Sequence, residues 1–189
     1  MPDTWTMAGV TTIPGLFREA CEGVPDRVFI DFSGTTYSYA EVRDEVLRLA
    51  NGLVALGVEP GERVCGILDN RPEAVFVWFA VNEIGAVYVP INTDYKGDYL
   101  RHQIADAGAR IVVAEADYVD RVRAVAVDLP DLGLVLACGD GIDGVGALAV
   151  RPLASIRSAA PLPIGRAVAP SDLAMLIYTS GTTGPSKGC

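Results

Sequence analysis

The residues best suited to chemistry are gathered in one stretch, Leu176 to Cys189, which reads LIYTSGTTGPSKGC. Thr179, Ser180, Thr182 and Thr183 place four hydroxyl donors within five positions. Gly181, Gly184 and Gly188 permit backbone angles that turn successive N–H groups toward one point, which makes a nest for an anion. Lys187 adds a compact positive charge. Thirteen of the fifteen basic residues are arginine, and only Lys96 and Lys187 are lysine, so an ammonium here reads as selected for its point charge. A hydrogen bond to a charged phosphate contributes ~1.5–3 kcal/mol. Several converging donors of this kind would hold a polyphosphate tail.

Two better-known phosphate loops are excluded by individual positions. A Walker A loop needs Gly directly before its lysine and Ser or Thr directly after, whereas Ser186 precedes Lys187 and Gly188 follows it. GDGIDG, Gly139 to Gly144, fits the dinucleotide pattern G-x-G-x-x-G. Its context fails, because Asp140 and Asp143 would set negative charge beside a pyrophosphate, and Gly146 and Pro152 interrupt the helix that must follow. An acid suited to a ribose is not placed about 20 residues further on. An exposed glycine-rich turn is the reading of this segment.

Other reactive side chains are sparse. His102 is the single histidine, in a stretch that reads as a surface helix; multi-histidine metal sites and conventional Ser/His/Asp triads are thereby disfavoured. Cys21, Cys65, Cys138 and Cys189 are scattered without a C-x-x-C pair, as expected of idle cytosolic thiols. The net charge is −9 and basic residues do not interleave with aromatics, so nucleic acid and anionic membrane are not expected partners. Ala74 to Val81 is the longest unbroken apolar run, far short of a bilayer span, and the region before Arg18 is not expected to be a signal peptide.

The elements that must position the terminal loop follow from spacing. A chain of 189 residues can bury about 70% of its unfolded surface. Val28–Phe32 and Thr35–Tyr37, joined by Ser33-Gly34, form an expected β-hairpin. Ser38 with Glu41 makes a capping box, opening a helix whose apolar stripe is Val42, Val46, Leu49, Ala50, Leu53 and Leu56, and Gly57 ends it. Strand Arg63–Leu68 leads to a helix opened by Asn70 and Pro72, PEAVFVWFAVNEIG, which is apolar nearly all round and therefore suited to burial. Strand Val87–Ile91, a helix over Asp98–Ala107, strand Arg110–Ala114, a helix over Asp117–Val127 and strand Gly133–Ala137 continue the alternation. Such alternation with short connections predicts an α/β fold of layered βαβ units with a mainly parallel sheet. Between Cys138 and Ser171 no period survives, and one helical turn near Leu153–Ser158 is expected. Leu173–Tyr178 then reads as a strand delivering the phosphate loop.

YTSGTTGPSKG resembles the phosphate-binding signature of adenylate-forming, AMP-binding enzymes: acyl-CoA synthetases, peptide-synthetase adenylation domains and beetle luciferases. Its Pro185-Ser186 order is the reverse of the usual one and is similar to some fatty-acyl and carnitine-type CoA ligases. NEIGAVYVPIN, PDRVFIDFSGTTYSYAEV and TDYKGDYLRHQIADAGARIVV resemble further stretches of the family, the last in a form nearer acyl-CoA synthetases than peptide synthetases.

The resemblance implies that residues 1–189 are the N-terminal portion of an AMP-binding domain, part of the large N-terminal domain of such an enzyme. Residues 11–137 would be its βαβ region, 138–170 an irregular connection, and 171–189 the strand and phosphate loop. It implies a two-step acid–thiol ligase acting on a carboxylic, and specifically a fatty, acid in lipid metabolism, with ATP, Mg2+ and coenzyme A, in the cytoplasm. Thr179, Ser180, Gly181, Thr182, Thr183, Gly184 and Lys187 would touch the β- and γ-phosphates, with Thr179 also approaching magnesium. The family's ribose contact, hinge, mobile C-terminal domain and catalytic lysine lie beyond the loop, so the 189 residues are expected to be inactive alone and to self-associate through exposed apolar surface and strand edges. From the residues alone, a stand-alone phosphate- or nucleotide-binding module and a structural or interaction domain stay open.

Overall fold

The computed structural model describes residues 12–139, 147–179 and 187–189. It opens with helix α1, Ile13–Gly23. Thr12 is the N-cap, its hydroxyl accepting from the Gly15 N–H at 3.1 Å, and a proline sits in the first turn, where a missing N–H costs nothing. This helix adds to the expected elements; Pro14, Phe17 and Cys21 recur at helical spacing and are buried, and Thr12-x-Pro14 marks its start.

Strands β1 (Val28–Phe32) and β2 (Thr35–Ser38) pair antiparallel as expected. Both turn residues have positive φ, 50° at Ser33 and 83° at Gly34, the geometry whose twist suits a two-residue hairpin. Helix α2, Tyr39–Ala55, carries the capping box in full: the Glu41 N–H donates to Ser38 Oγ at 3.2 Å and the Ser38 N–H donates to Glu41 Oε2 at 2.7 Å. Those bonds from Ser38 hold the Glu41 carboxyl below the usual carboxylate range.

The main sheet has five parallel strands in the order β4-β3-β5-β6-β7. These are β3 (Arg63–Ile67), β4 (Val87–Pro90), β5 (Ile111–Glu115), β6 (Leu134–Cys138) and β7 (Ala149–Pro152). Between them run α3 (Pro72–Glu83), α4 (Asp98–Ala107) and α5 (Val119–Val125), the last flanked by short 3-10 turns. One apolar cluster joins α1, α2 and α3 to one sheet face and a second joins α4 and α5 to the other. The strands are consequently apolar on both sides, as a parallel sheet covered by helices requires.

Three expectations are corrected. The N-cap of α3 is Arg71 rather than Asn70, and its side chain makes no capping bond. The same helix buries Phe76, Val77, Ala80 and Val81 but leaves Val75, Trp78 and Phe79 only half-buried, so its apolar character exceeds its burial. Within 138–170, besides the anticipated turn at Leu153–Ile156, Ala149–Pro152 adds the edge strand β7. Its mostly exposed positions carry no alternating signal.

The chain after β7 is a strap tied to α2. Gly52 makes the approach possible, because a Cβ there would stand 2.0 Å from the Ile156 carbonyl oxygen. Arg48 Nη1 donates to Ser158 O at 3.0 Å, Asn51 Nδ2 to Leu162 O at 2.8 Å, and Arg166 Nη1 reaches back to Val58 O at 2.7 Å. The first two bonds satisfy carbonyls of a segment that has few backbone partners of its own.

Candidate functional site

The terminal loop is carried by a stem built in two steps. First, residues 174–176 lie against the free edge of β4 through a parallel bridge between Tyr88 and Met175. The Tyr88 N–H donates to Ala174 O at 3.1 Å, and the Leu176 N–H donates to Tyr88 O at 3.0 Å. Of the strand expected over Leu173–Tyr178, this bridge and the following pair are what forms; Leu173 stays 70% exposed. Secondly, β8 (Tyr178–Thr179) pairs antiparallel with β9 (Lys187–Gly188). Ile177 and Cys189 exchange both backbone bonds just below, at 3.0 and 2.9 Å.

Because Ile177 and Cys189 form a hydrogen-bonded pair, the alternation of an antiparallel ladder makes Thr179 and Lys187 the next one. Directly opposed residues share a face, so Thr179 and Lys187 project from the same face of the pair, and both residues are exposed. Tyr178 points the other way and its hydroxyl donates to Asp106 Oδ2 on α4 at 2.7 Å. Burial, then the bond to Asp106, push the Tyr178 phenol well above its ordinary range, which keeps it a neutral donor. Ser180, Gly181, Thr182, Thr183 and Gly184 lie outside the described residues, as does most of GDGIDG.

The stem runs parallel to β4, so Thr179 leaves the sheet at the carboxyl ends of the strands, the edge where open α/β sheets bind ligands. Other polar groups collect along that edge. Tyr118 donates to Asp69 Oδ2 at 2.7 Å, and the Arg121 guanidinium lies 4.5 Å from the Tyr118 ring centroid. Arg71 bonds Glu73 at 2.8 Å and also pairs with Glu115. The bond it donates to Glu73 foremost raises the Arg71 guanidinium above its ordinary range. At Glu73 burial opposes ionisation, but Arg71 outweighs it and the carboxyl sits below the usual range. Arg71 is therefore neutralised within the protein, while the Lys187 ammonium makes no ion pair among the described residues. The pairing of Asp106 with Tyr178 and of Asn82 Nδ2 with Ala174 O, at 2.6 Å, is revealed only by contacts between distant segments.

A cavity of about 510 Å3 lies toward the opposite edge, between α2, the first turn of α3 and the β6–β7 side, and none of the described residues of the stem lines it. His102, the lone histidine, sits edge-on to the Tyr178 ring with centroids 6.4 Å apart. Cys21, Cys65 and Cys138 are buried and free, and Cys189 is exposed. Burial pushes the thiols up, to about 11 at Cys21 and about 12 at Cys65 and Cys138, so none of the three is a poised nucleophile. Among the described residues no three His, Cys, Asp or Glu side chains converge on a metal position. The hydroxyl and ammonium of the stem fit a polyphosphate, and Thr179 fits magnesium as a single oxygen ligand to an ion held mainly by phosphate oxygens.

A doubly covered parallel sheet whose last strand pair leaves at its carboxyl edge defines an α/β protein. More narrowly, the chain belongs to the AMP-binding enzyme family, whose model matches residues 17–189. It is 34% identical over 164 residues to a feruloyl-CoA synthase from Amycolatopsis, covering 87% of this chain and 30% of that protein. It is also 30% identical over 178 residues to tyrocidine synthase 3 from Brevibacillus parabrevis, covering 94% of this chain and 2% of that one. The crystal structure of the anthranilate CoA ligase AuaEII in complex with anthranoyl-AMP superposes with a TM-score of 0.81 at 26% identity, over 93% of this chain and 33% of that one. The chain thus spans less than a third of the length of the curated relatives it matches. No helix among the described residues is long and apolar enough to cross a membrane.

Proposed function

We propose that these residues form the phosphate-binding part of an ATP-dependent acid–CoA ligase and that they do not catalyse the reaction without the remainder of such an enzyme. In the first step a carboxylate oxygen attacks the α-phosphorus of ATP and pyrophosphate departs, giving an acyl-adenylate. In the second the coenzyme A thiolate attacks the acyl carbon and AMP leaves. Residues 1–189 act as the N-terminal portion of the AMP-binding domain, with the loop supplied by 171–189. Thr179, Ser180, Gly181, Thr182, Thr183, Gly184 and Lys187 hold the β- and γ-phosphates, where fixed donors stabilise charge that shifts onto the leaving pyrophosphate. Magnesium supplies further charge neutralisation there, with Thr179 among its oxygen ligands.

The single observation that best supports this reading is the pairing of Thr179 with Lys187 at the carboxyl edge of the sheet, in a chain that matches the AMP-binding family. A fatty acid is the proposed substrate, and the feruloyl-CoA synthase match sets an aromatic acid beside it. The proposed setting is the cytoplasm. Exposed Phe32, Leu173 and Ile177 and the edge strand β7 support self-association of the 189-residue chain, for which light scattering at rising concentration should show growing mass.

Magnesium-dependent ATP–pyrophosphate exchange, run on this chain and on the longest reading frame containing it, tests the proposal. The acids should include fatty, cinnamic and amino acids, with thioester formation followed separately. Exchange and CoA thioester in the longer chain alone are the expected result. Exchange by the 189 residues unaided would overturn the claim of incompleteness, and exchange without any CoA thioester would overturn the CoA-ligase assignment.

A further inference from the structure

Few groups hold the stem to the sheet, and two of them are side chains with no role in the proposed chemistry. Asn82, at the end of α3, is 2% exposed. Its Nδ2 donates to Ala174 O at 2.6 Å and to Ala86 O at 3.3 Å, so one amide ties the entry of β4 to the incoming strand. Its Oδ1 is buried without a partner among the described residues. An unsatisfied buried oxygen carries a penalty that leucine would avoid, which argues that the donor end of the amide is what the position requires. On the other sheet face, Asp106 accepts from the Tyr178 hydroxyl. Met175 packs with the α1–α3 layer, and Leu176 and Tyr178 with the α4–α5 layer.

Backbone bonds alone do not define where such a strand stops. In a parallel pair they repeat every two residues, so a two-residue slide would restore them and keep each side chain on its face. The slide would, however, bring Leu176 or Ser180 to the place of Tyr178, and neither combines a ring with a hydroxyl. A one-residue slide would turn Thr179 toward α4. We propose that Asn82 and Asp106 are positioning residues: Asn82 holds the strand to β4, and Asp106, by recognising Tyr178, fixes the register of the stem along β4 and so how far Thr179 stands beyond the sheet. Only the catalytic arm of the test below rests on the ligase reading.

Amide hydrogen exchange on the 189-residue chain provides the first arm, with Asn82→Leu, Tyr178→Phe and, as a control in the central strand, Val113→Ala. Losing one hydrogen bond corresponds to about a tenfold change in a local opening equilibrium. Asn82→Leu should therefore speed exchange at the Tyr88 and Leu176 amides about tenfold. Tyr178→Phe should do the same at Ile177 and Cys189, with β5 and β6 amides unchanged in both. Val113→Ala should speed β5 and β6 instead. Tyr178 is only half-buried and its substitution removes one oxygen, so this variant remains informative if Asn82→Leu does not fold. In the longer reading frame, both stem variants should raise KM for ATP about tenfold with a smaller change in kcat, and Val113→Ala should not. Wild-type exchange rates at the stem in both variants would overturn the proposal, as would acceleration spread evenly over the sheet. Selective stem exchange together with an inactive wild-type longer chain would leave it standing and sink the ligase reading.

Discussion

Two short apolar runs, Ile111–Ala114 in β5 and Leu173–Tyr178 in the stem, look alike in the sequence and meet opposite fates. The β5 residues are at most 4% exposed, with a hydrogen-bonded strand on either side and helices over both faces. In the stem Leu173 and Ile177 are 70% and 47% exposed, and the run meets β4 through a single bridge and the short β9 segment only at its end. The difference is one of neighbours rather than composition. Apolar character determines that a segment can be buried; the number of segments ready to cover it determines whether it is. The interior is thereby fitted to stability and the stem to presenting polar groups, and substitutions should separate the two.

The largest effect is expected from Leu136→Ala in β6, where a fully buried side chain leaves a cavity worth roughly 2–5 kcal/mol. Thermal unfolding should register it, and thiol reagents, which should label only the exposed Cys189 in the native wild type, should begin to reach Cys65 and Cys138 in the variant. Next comes Lys187→Ala in the longer reading frame. Loss of a charge-assisted contact to phosphate should lower ATP–pyrophosphate exchange by roughly 10–100-fold, while the melting temperature stays within about 1 °C because an exposed surface charge contributes little. A parallel fall in stability would erase the contrast between interior and stem.

Ser38→Ala removes the α2 cap and should lower the melting midpoint by roughly 2–4 °C, leaving KM for ATP untouched. The smallest effect concerns Glu83, which pairs with Arg18 at 3.0 Å. Burial raises its carboxyl above the ordinary range, against the pull of Arg18 and Arg43. A carboxyl raised on folding favours the fold below its unfolded value of about 4.3 and loses that contribution as pH climbs through the folded value. Glu83→Gln should therefore gain on the wild type between pH 4 and pH 7, by about 1–2 °C in a domain of this size. A gap that is constant with pH would show that the Glu83 carboxyl is not raised.

Legibility in the sequence follows the same division. Periodicity suffices for β3 to β6 and for α2, α4 and α5, where local pattern and tertiary burial agree. Ser38 with Glu41 and Ser33-Gly34 declare their geometry because a side chain or a positive φ demands it. β7 escapes notice because an exposed edge strand imposes no alternation on Ala149–Pro152, whereas α1 carries a stripe, Pro14, Phe17 and Cys21, that the sequence already displays. At the candidate site, the residue types and their order are legible from Thr179 to Lys187. The anchors are not, since Asn82–Ala174 and Asp106–Tyr178 join residues far apart in the chain, and a single sequence holds no trace of that proximity.

The bridge from Tyr88 to Met175 has a consequence in time. The chain must lay down β5, β6 and β7 across one side of the sheet before returning to the β4 edge on the other, closing a loop of some 87 residues. Closure entropy grows only slowly with length, but contacts so distant in sequence form late. During synthesis, at roughly 5–20 residues per second, the β3–β6 sheet has several seconds to assemble before the stem emerges. The stem then meets a finished template and is the last of the described elements to pair. A folding experiment should see the amides of Tyr88 and Leu176 gain protection after those of β5.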